Sequence, residues 1–178
     1  MRRVYQAVLL IGLLALTQAC ATARIGVSKD APVTAPEFDR VAVLRFSNEV
    51  GESLPATAPE NVAGAIIAVL QKEHPKAFRE VSSTQSTQPT ELVVQGKILK
   101  YNPGSKAARF ILIGLGAGKL ELEVAFINAA TGETLEQFST SGEIMAGGVL
   151  GASMGIEDMI NSAAKKIVER LIPYGSTS

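Results

Sequence analysis

Residues Gly104 to Leu135, GSKAARFILIGLGAGKLELEVAFINAATGETL, contain the densest apolar run after the N-terminal leader and the clearest strand pattern of the chain. Lys119 to Asn128 has the alternation of a strand: every second residue up to Phe126 is apolar, the residues between are charged in the first half, and the second half is apolar on both faces. Thr131-Gly132 marks a tight turn, and Thr134 to Gly142 can pair back as a second strand. We therefore expect this hairpin to form the centre of a β-sheet.

The rest of the chain predicts further strands and two long helices around the hairpin. One helix runs from Thr57, which with Glu60 has the capping-box spacing, to His74. The other, Ile156 to Leu171, is amphipathic. Three more strands are predicted: Asp39 to Ser47, Phe78 to Ser82, and Glu91 to Tyr101. We expect one α/β domain (α+β in stricter usage) with the order β-α-β-β-β-β-α, in which a mixed sheet of about five strands carries both helices on one face.

The first twenty residues have the pattern of a bacterial export signal. Arg2 and Arg3 precede the apolar run Ala7 to Leu16, and the only cysteine, Cys20, follows. This run is shorter than the roughly 20 apolar residues that a transmembrane helix needs. Cys20 stands where a lipoprotein signal peptidase would leave it as the first residue, ready to receive a diacylglycerol and a further acyl chain such as palmitate. The pattern predicts that residues 1–19 are removed as a signal peptide and that Cys20 is lipidated.

Ordinary secretory cleavage after Ala21 or Ala23 is the alternative, and it would give a soluble periplasmic or secreted protein. If Cys20 is lipidated, residues 20–37 form a tether, because they are rich in small and polar residues and have no apolar period. Residues 38–174 then form the domain and 175–178 a short tail. Ala21 follows the cysteine where an inner-membrane retention signal would carry Asp, which favours the outer membrane, with the domain facing the periplasm.

Charge and reactive residues exclude several classes of function. The formal net charge is zero, which argues against nucleic acid as a partner. His74 is the only histidine, and no second cysteine exists for a zinc site or a disulfide. No nucleophile elbow, phosphate loop or dinucleotide fingerprint is present. We expect no cofactor, no metal and no enzymatic activity; a small hydrolase that uses His74 as its base is the least favoured alternative.

The segment from Arg109 to Gly118 has two interpretations. Phe110 to Ile113 could be a strand, and Gly114, Gly116 and Gly118 would then share one face of an extended chain. The favoured interpretation is a bulged, buried strand that another element approaches closely. The alternative is that Arg109 and the three glycines form a surface that contacts a membrane or a partner.

The same stretch resembles a bacterial lipoprotein family that is grouped only as a domain of unknown function, number 4410. The resemblance lies in an Asn-Pro-Gly turn, an arginine before an apolar run, a Gly-Ala-Gly segment and a Thr-Gly hairpin. The positions are Pro103, Gly104, Arg109, Gly116, Ala117, Gly118, Thr131 and Gly132, while Asn128 stands where members often carry Asp. The first strand is also similar, more weakly, to α/β modules of the curli-secretion lipoprotein and the Tol N-terminal domain, through Val41, Val43, Leu44 and Phe46. The resemblance implies a lipoprotein and assigns no activity.

These observations favour a non-enzymatic envelope lipoprotein that binds a protein or another envelope component from the periplasmic side of the outer membrane. The alternative is an oligomeric accessory component of secretion or transport, in which the glycine-rich segments mediate self-association.

Overall fold

The computed structural model describes residues 27–32, 35–86, 88–111, 116–144 and 148–176. Within these residues, seven strands form one mixed sheet in which six follow the order β1-β7-β6-β5-β2-β4, while β3 continues the parallel pairing with β5. The strands are β1 (Val27–Lys29), β2 (Arg40–Val43), β3 (Ser47–Asn48), β4 (Glu80–Ser82), β5 (Glu91–Asn102), β6 (Gly118–Asn128) and β7 (Thr134–Ile144). The expected α/β domain with its central hairpin is confirmed.

Two long helices and two short ones accompany the sheet in the described part of the chain. They are α1 (Ala58–Glu73), α2 (Lys106–Ile111), α3 (Gly148–Ser153) and α4 (Ile156–Leu171), followed by a 3-10 turn, Ile172–Tyr174. The bounds of α4 agree with the amphipathic pattern, and those of α1 differ from the expected helix by one residue at each end. Both long helices are therefore confirmed.

The hairpin of β6 and β7 places one apolar face of the sheet against the long helices. Along β6, Leu120, Leu122, Val124 and Phe126 are buried, whereas the intervening residues are only partly covered. Helices α1 and α4 contact each other and share one hydrophobic core with this face. The period of two in the sequence thus predicts the buried face correctly.

Helix α4 approaches β7 so closely that only glycine fits at one position. A Cβ atom at Gly142 would lie 1.7 Å from the backbone oxygen of Met159. Because a backbone atom cannot rotate away, the missing side chain sets the distance between helix and sheet.

The strand expected over Phe110 to Ile113 is wrong for its first two residues, which belong to helix α2. Leu112 and Ile113 lie outside the described residues. The helical turn begins at Ser105, whose backbone oxygen accepts from the N–H of Arg109 at 3.0 Å. The Ser105 hydroxyl also accepts from the N–H of Ala108 at 3.2 Å, as a helix-capping serine does.

Two further expectations are corrected at the edges of the domain. The side chain of Thr57 makes no capping hydrogen bond, and the carboxylate of Glu60 instead accepts from the guanidinium of Arg45. This bond and the charge of Arg45 lower the pKa of Glu60. Within the predicted tether, Val27–Lys29 forms strand β1, which pairs antiparallel with β7. That pairing adds a strand at the edge of the sheet where the sequence predicted only a spacer.

Candidate interaction surface

Helices α2 and α3 lie together at one end of the sheet. Helix α2 connects β5 to β6 just beyond the paired residues Asn102 and Lys119. Helix α3 follows β7 beyond the pair of Gly118 and Ile144. The two short helices contact each other. We call α2 and α3 together the tip.

The tip exposes large apolar side chains. Phe110 is 58% exposed, Ile111 71% and Leu150 74%. Among the described residues, only one other large apolar side chain is exposed, Leu99 on β5 at 42%. Single exposed apolar residues are normal on protein surfaces, but a cluster of them marks a contact site. The tip is therefore the strongest candidate for a surface that meets another molecule.

Arg109 holds the tip together from within. Its side chain is only 1% exposed. Nη1 donates to the backbone oxygens of Pro103 at 3.1 Å and Gly116 at 2.9 Å. Nη2 donates to the backbone oxygen of Met154 at 3.4 Å. A buried guanidinium requires such acceptors, and these three come from the turn after β5, the turn before β6 and the junction between α3 and α4.

The glycines of this region allow its backbone segments to touch. Gly104 and Gly116 have positive φ values of 66° and 74°, and a Cβ at Gly104 would lie 2.3 Å from the oxygen of Gly116. A Cβ at Gly118 would lie 3.3 Å from Sδ of Met159.

The structure places Arg109, Gly116 and Gly118 close together, and the contacts it describes for them are with other parts of the same chain. Gly114 and Cys20 lie outside the described residues. A partner role for the four-residue set and lipidation of Cys20 both stay predictions. The outward residues Phe110, Ile111 and Leu150 were not singled out in the sequence, because apolar residues in a dense run are expected in a core.

The opposite end of the sheet contains an ion pair whose carboxylate, Glu136, is buried. Nε of Arg170 donates to Oε1 of Glu136 at 2.6 Å, and the Tyr174 hydroxyl donates to Oε2 at 3.2 Å. Burial, and then the neighbouring carboxylate, raise the pKa of Tyr174. The guanidinium carbon of Arg170 lies 4.6 Å from the centre of the Phe138 ring. The backbone N–H of Phe38 donates to the oxygen of Tyr174 at 2.8 Å, so the chain closes over this end of the core.

The carboxylates that could form a catalytic pair are occupied by lysines. Glu121 lies 2.9 Å from Nζ of Lys119, and Glu123 lies 3.7 Å from Nζ of Lys97. The hydrogen bond that Lys119 donates to Glu121 and the charges of Glu121 and Glu143 raise the pKa of Lys119. These are ion pairs on the solvated face of the sheet, and each contributes little to stability.

His74 lines a surface depression of about 180 Å³ at the end of α1. The described residues around it, among them Gln71, Phe78 and Arg79, include no Ser, Cys, Asp or Glu. Nor do the described residues contain a group of histidine, cysteine and acidic side chains that could hold a metal.

A larger depression of about 370 Å³ on the open sheet face is lined by polar and oppositely charged residues, such as Arg45, Gln95 and Glu123, and by no described aromatic ring. No described helix has the length and hydropathy needed to cross a membrane.

Residues 48–148 match the family described as domain of unknown function (DUF4410). The chain belongs to this family. The match covers more than half of the chain, from β3 through the β6–β7 hairpin to the start of α3. It confirms the resemblance found at the central stretch. No curated protein matches the chain.

Solved structures of the same fold have very different sequences. The PelC dodecamer from Paraburkholderia phytofirmans aligns with a TM-score of 0.58 and 12% identity, over 87% of this chain and 100% of that chain. The hypothetical protein CT253 from Chlamydia trachomatis aligns with a TM-score of 0.53 and 13% identity, over 79% and 99%. Protein XCC0632 from Xanthomonas campestris, of family DUF330, aligns with a TM-score of 0.52 and 7% identity, over 84% and 92%. At these identities the similarity shows the fold alone.

Proposed function

We propose that this protein is a non-enzymatic lipoprotein of the bacterial envelope. It is anchored through Cys20, and its domain faces the periplasm and binds a protein or another envelope component. The observation that carries the proposal is the N-terminal sequence, in which Arg2 and Arg3, an apolar run and the only cysteine occur in the order of a lipoprotein leader. Membership in DUF4410 agrees with the proposal without assigning an activity.

The lipid anchor has a clear physical consequence. Each buried methylene of an acyl chain contributes about 0.8 kcal/mol, so two or more chains hold a domain on a bilayer stably. Ala21 after the cysteine favours the outer membrane over the inner one. The mature protein then acts close to one membrane and needs no membrane-spanning helix.

The side chains of the described domain support a binding role over catalysis. Glu121, Glu123 and Glu136 each face a cationic side chain. His74 has no nucleophile or acid among the described residues of its depression. An enzyme needs a reactive group that has a matched base or acid within hydrogen-bond reach.

Incorporation of labelled palmitate in growing cells tests the anchor. We expect label in the natural protein and in the matched control Thr22→Ser, and none in Cys20→Ser. A natural protein without label, or a Cys20→Ser protein that keeps it, would contradict the proposal. Turnover of a specific small molecule by the purified protein would contradict the non-enzymatic part.

Self-association is a second candidate function, and one observation favours it. PelC, described as a dodecamer, is covered over its full length by the fold of this chain. The corresponding role here is an oligomeric accessory component of secretion or transport. The mass of the detergent-extracted protein, measured by light scattering with correction for bound detergent, tests this role. A mass several times that of one chain supports it, and a strict monomer at all concentrations contradicts it.

A further inference from the structure

The direction of β1 relates the tip to the proposed lipid anchor. Strand β1 pairs antiparallel with β7, with Val27 opposite Phe138 and Lys29 opposite Gln137. In an antiparallel pair, the chain before Val27 enters from the side toward which β7 proceeds. Strand β7 proceeds from Phe138 to Ile144, and α3 follows it. The chain that leads from Cys20 therefore enters the sheet from the side of the tip.

The length of this connection is sufficient to bring Cys20 to the tip. Seven Cα–Cα steps lead from Cys20 to Val27, and an extended chain spans about 3.5 Å per step, or about 25 Å in all. The six steps from Phe138 to Ile144 cover about 20 Å at the rise of a strand. The chain between Cys20 and Val27 is therefore long enough to reach the tip, but not far beyond it.

We propose that the tip rests on the same bilayer that holds the Cys20 anchor, with Phe110, Ile111 and Leu150 at the boundary between headgroups and acyl chains. This inference rests on the proposed lipidation. It gives the domain a fixed orientation: the tip faces the membrane, and the β6–β7 turn at the opposite end of the sheet points into the periplasm.

The composition of the two ends agrees with this orientation. The sequence from Pro103 to Gly118 contains basic residues and no acid, and Met145 to Gly155 contains no charged residue. Lys106 is exposed on the same short helix as Phe110 and Ile111. Short amphipathic helices with apolar and basic residues lie at membrane interfaces in this way. At the opposite end, the turn between β6 and β7, residues 129–133, carries exposed Thr131 and Glu133.

The acids nearest the tip in sequence already have partners or a local role. Asp158 at the start of α4 accepts from the backbone N–H of Gly155 at 2.8 Å, and Glu143 lies 3.5 Å from Nζ of Lys119. Glu157 in the first turn of α4 lies where the helix dipole favours a negative charge.

A bilayer fits the tip better than a second copy of the chain does. Among the described residues, the tip exposes three large apolar side chains on two short helices, far fewer than the roughly 20–30 residues a side of a stable protein interface. A membrane contact needs little intrinsic affinity here, because the anchor already holds the tip at a high effective concentration near the lipid.

Fluorescence quenching in vesicles tests the orientation. The lipidated full-length protein carries a new cysteine at Ile111→Cys, Leu150→Cys or, as the matched control at the opposite end, Thr131→Cys. Because lipidation consumes the Cys20 thiol, an environment-sensitive NBD label reacts only at the new site. Each protein is reconstituted in vesicles of phosphatidylethanolamine and phosphatidylglycerol with and without doxyl-labelled lipid.

We expect NBD at positions 111 and 150 to shift its emission to shorter wavelength and to be quenched by doxyl lipid, with neither effect at 131. Adding Ile111→Glu to the Leu150→Cys protein should weaken the quenching while the protein still floats with the vesicles. Equal quenching at 111, 150 and 131 in vesicle-bound protein would overturn the orientation and leave the anchor intact. Protein that does not float would overturn both proposals. A disulfide between two Leu150→Cys chains without lipid quenching would assign the tip to self-association instead.

Discussion

The two ends of the sheet each contain an arginine in a well-defined environment, and the two environments differ. At one end, Arg170 pairs with Glu136 and lies against Phe138, and Tyr174 completes the hydrogen bonds of the carboxylate. At the tip, the Arg109 guanidinium donates to backbone oxygens of three separate segments. Arg170 lies at the edge of the hydrophobic core, whereas Arg109 binds the loops of the tip, whose large apolar side chains are exposed. A buried arginine can therefore serve function by holding an exposed surface in place without being part of it.

Replacing Gly142 should have the largest effect on stability. It would disturb the packing of helix α4 against strand β7, which both ends of the sheet share. A Cβ at Gly142 would overlap the backbone oxygen of Met159, so Gly142→Ala should lower the free energy of unfolding by about 3 kcal/mol or more. Urea unfolding of the detergent-solubilised protein measures it. Gly64→Ala in α1 is the matched control, since nothing lies within 4 Å of its Cβ position; it should stabilise the helix slightly. Equal behaviour of the two variants would contradict the packing.

Replacing Arg109 should affect the tip selectively. Arg109→Met leaves three backbone oxygens without their donor and should lower the free energy of unfolding by about 2 kcal/mol. Hydrogen exchange should accelerate in residues 103–111 and 116–118, while β7 near Glu136 keeps its protection. Arg109→Lys is the conservative control, and we expect an intermediate loss because one ammonium group cannot reach all three acceptors. Faster exchange spread evenly over the sheet would contradict a local role.

The opposite end should respond to alkaline pH. Because burial and the Glu136 carboxylate raise the pKa of folded Tyr174, its contribution to stability is complete below the unfolded pKa of about 10. That contribution is lost as pH rises above this value, since only the unfolded state then releases the proton. Tyr174→Phe should lower the free energy of unfolding by about 1 kcal/mol at neutral pH. Between pH 9 and about 11, this variant should lose less further stability than the natural protein does. If the free energy of unfolding depends on pH in the same way in both proteins, Tyr174 is not buried against Glu136.

The exposed side chains of the tip should matter least for folding. Leu150→Ser and Ile111→Ser should change the free energy of unfolding by less than about 0.5 kcal/mol, because both side chains already face solvent. The same change at Leu120, which is fully buried, should unfold the protein at a clearly lower urea concentration. A strong loss from Leu150→Ser would mean that the tip belongs to the core.

Sequence patterns predicted the parts of the fold in which local period and burial agree. The first half of strand β6 alternates clearly, and α4 has one apolar face, so the predicted bounds agree for α4 and differ by one residue for β6. The apolar run Phe110 to Ile113 suits a strand, but its first two residues end helix α2. The helix depends on Ser105 and on the distant acceptors of Arg109. Strand β1 lies in a polar segment that has no strand pattern of its own. It is a strand because it pairs with the edge of β7.

The candidate surface was only half predictable for a related reason. Arg109 and its glycines stand out in the sequence, but no local signal tells a buried arginine that binds carbonyl groups from one that faces a partner. Phe110, Ile111 and Leu150 look like core residues, and only their position beyond the ends of the strands exposes them. Lipidation of Cys20 is predicted from its place after an apolar run, a pattern that does not depend on the fold, and it stays a prediction.

The difference between the two ends is tested most directly with a membrane-impermeant maleimide. Its reaction rate is compared for Leu150→Cys and Thr131→Cys in the vesicle-anchored, lipidated protein. If the tip rests on the bilayer, the thiol at 131 reacts rapidly, and the thiol at 150 reacts many times more slowly, although both positions are exposed in the isolated fold. Equal rates in protein that floats with the vesicles would contradict the membrane-facing tip.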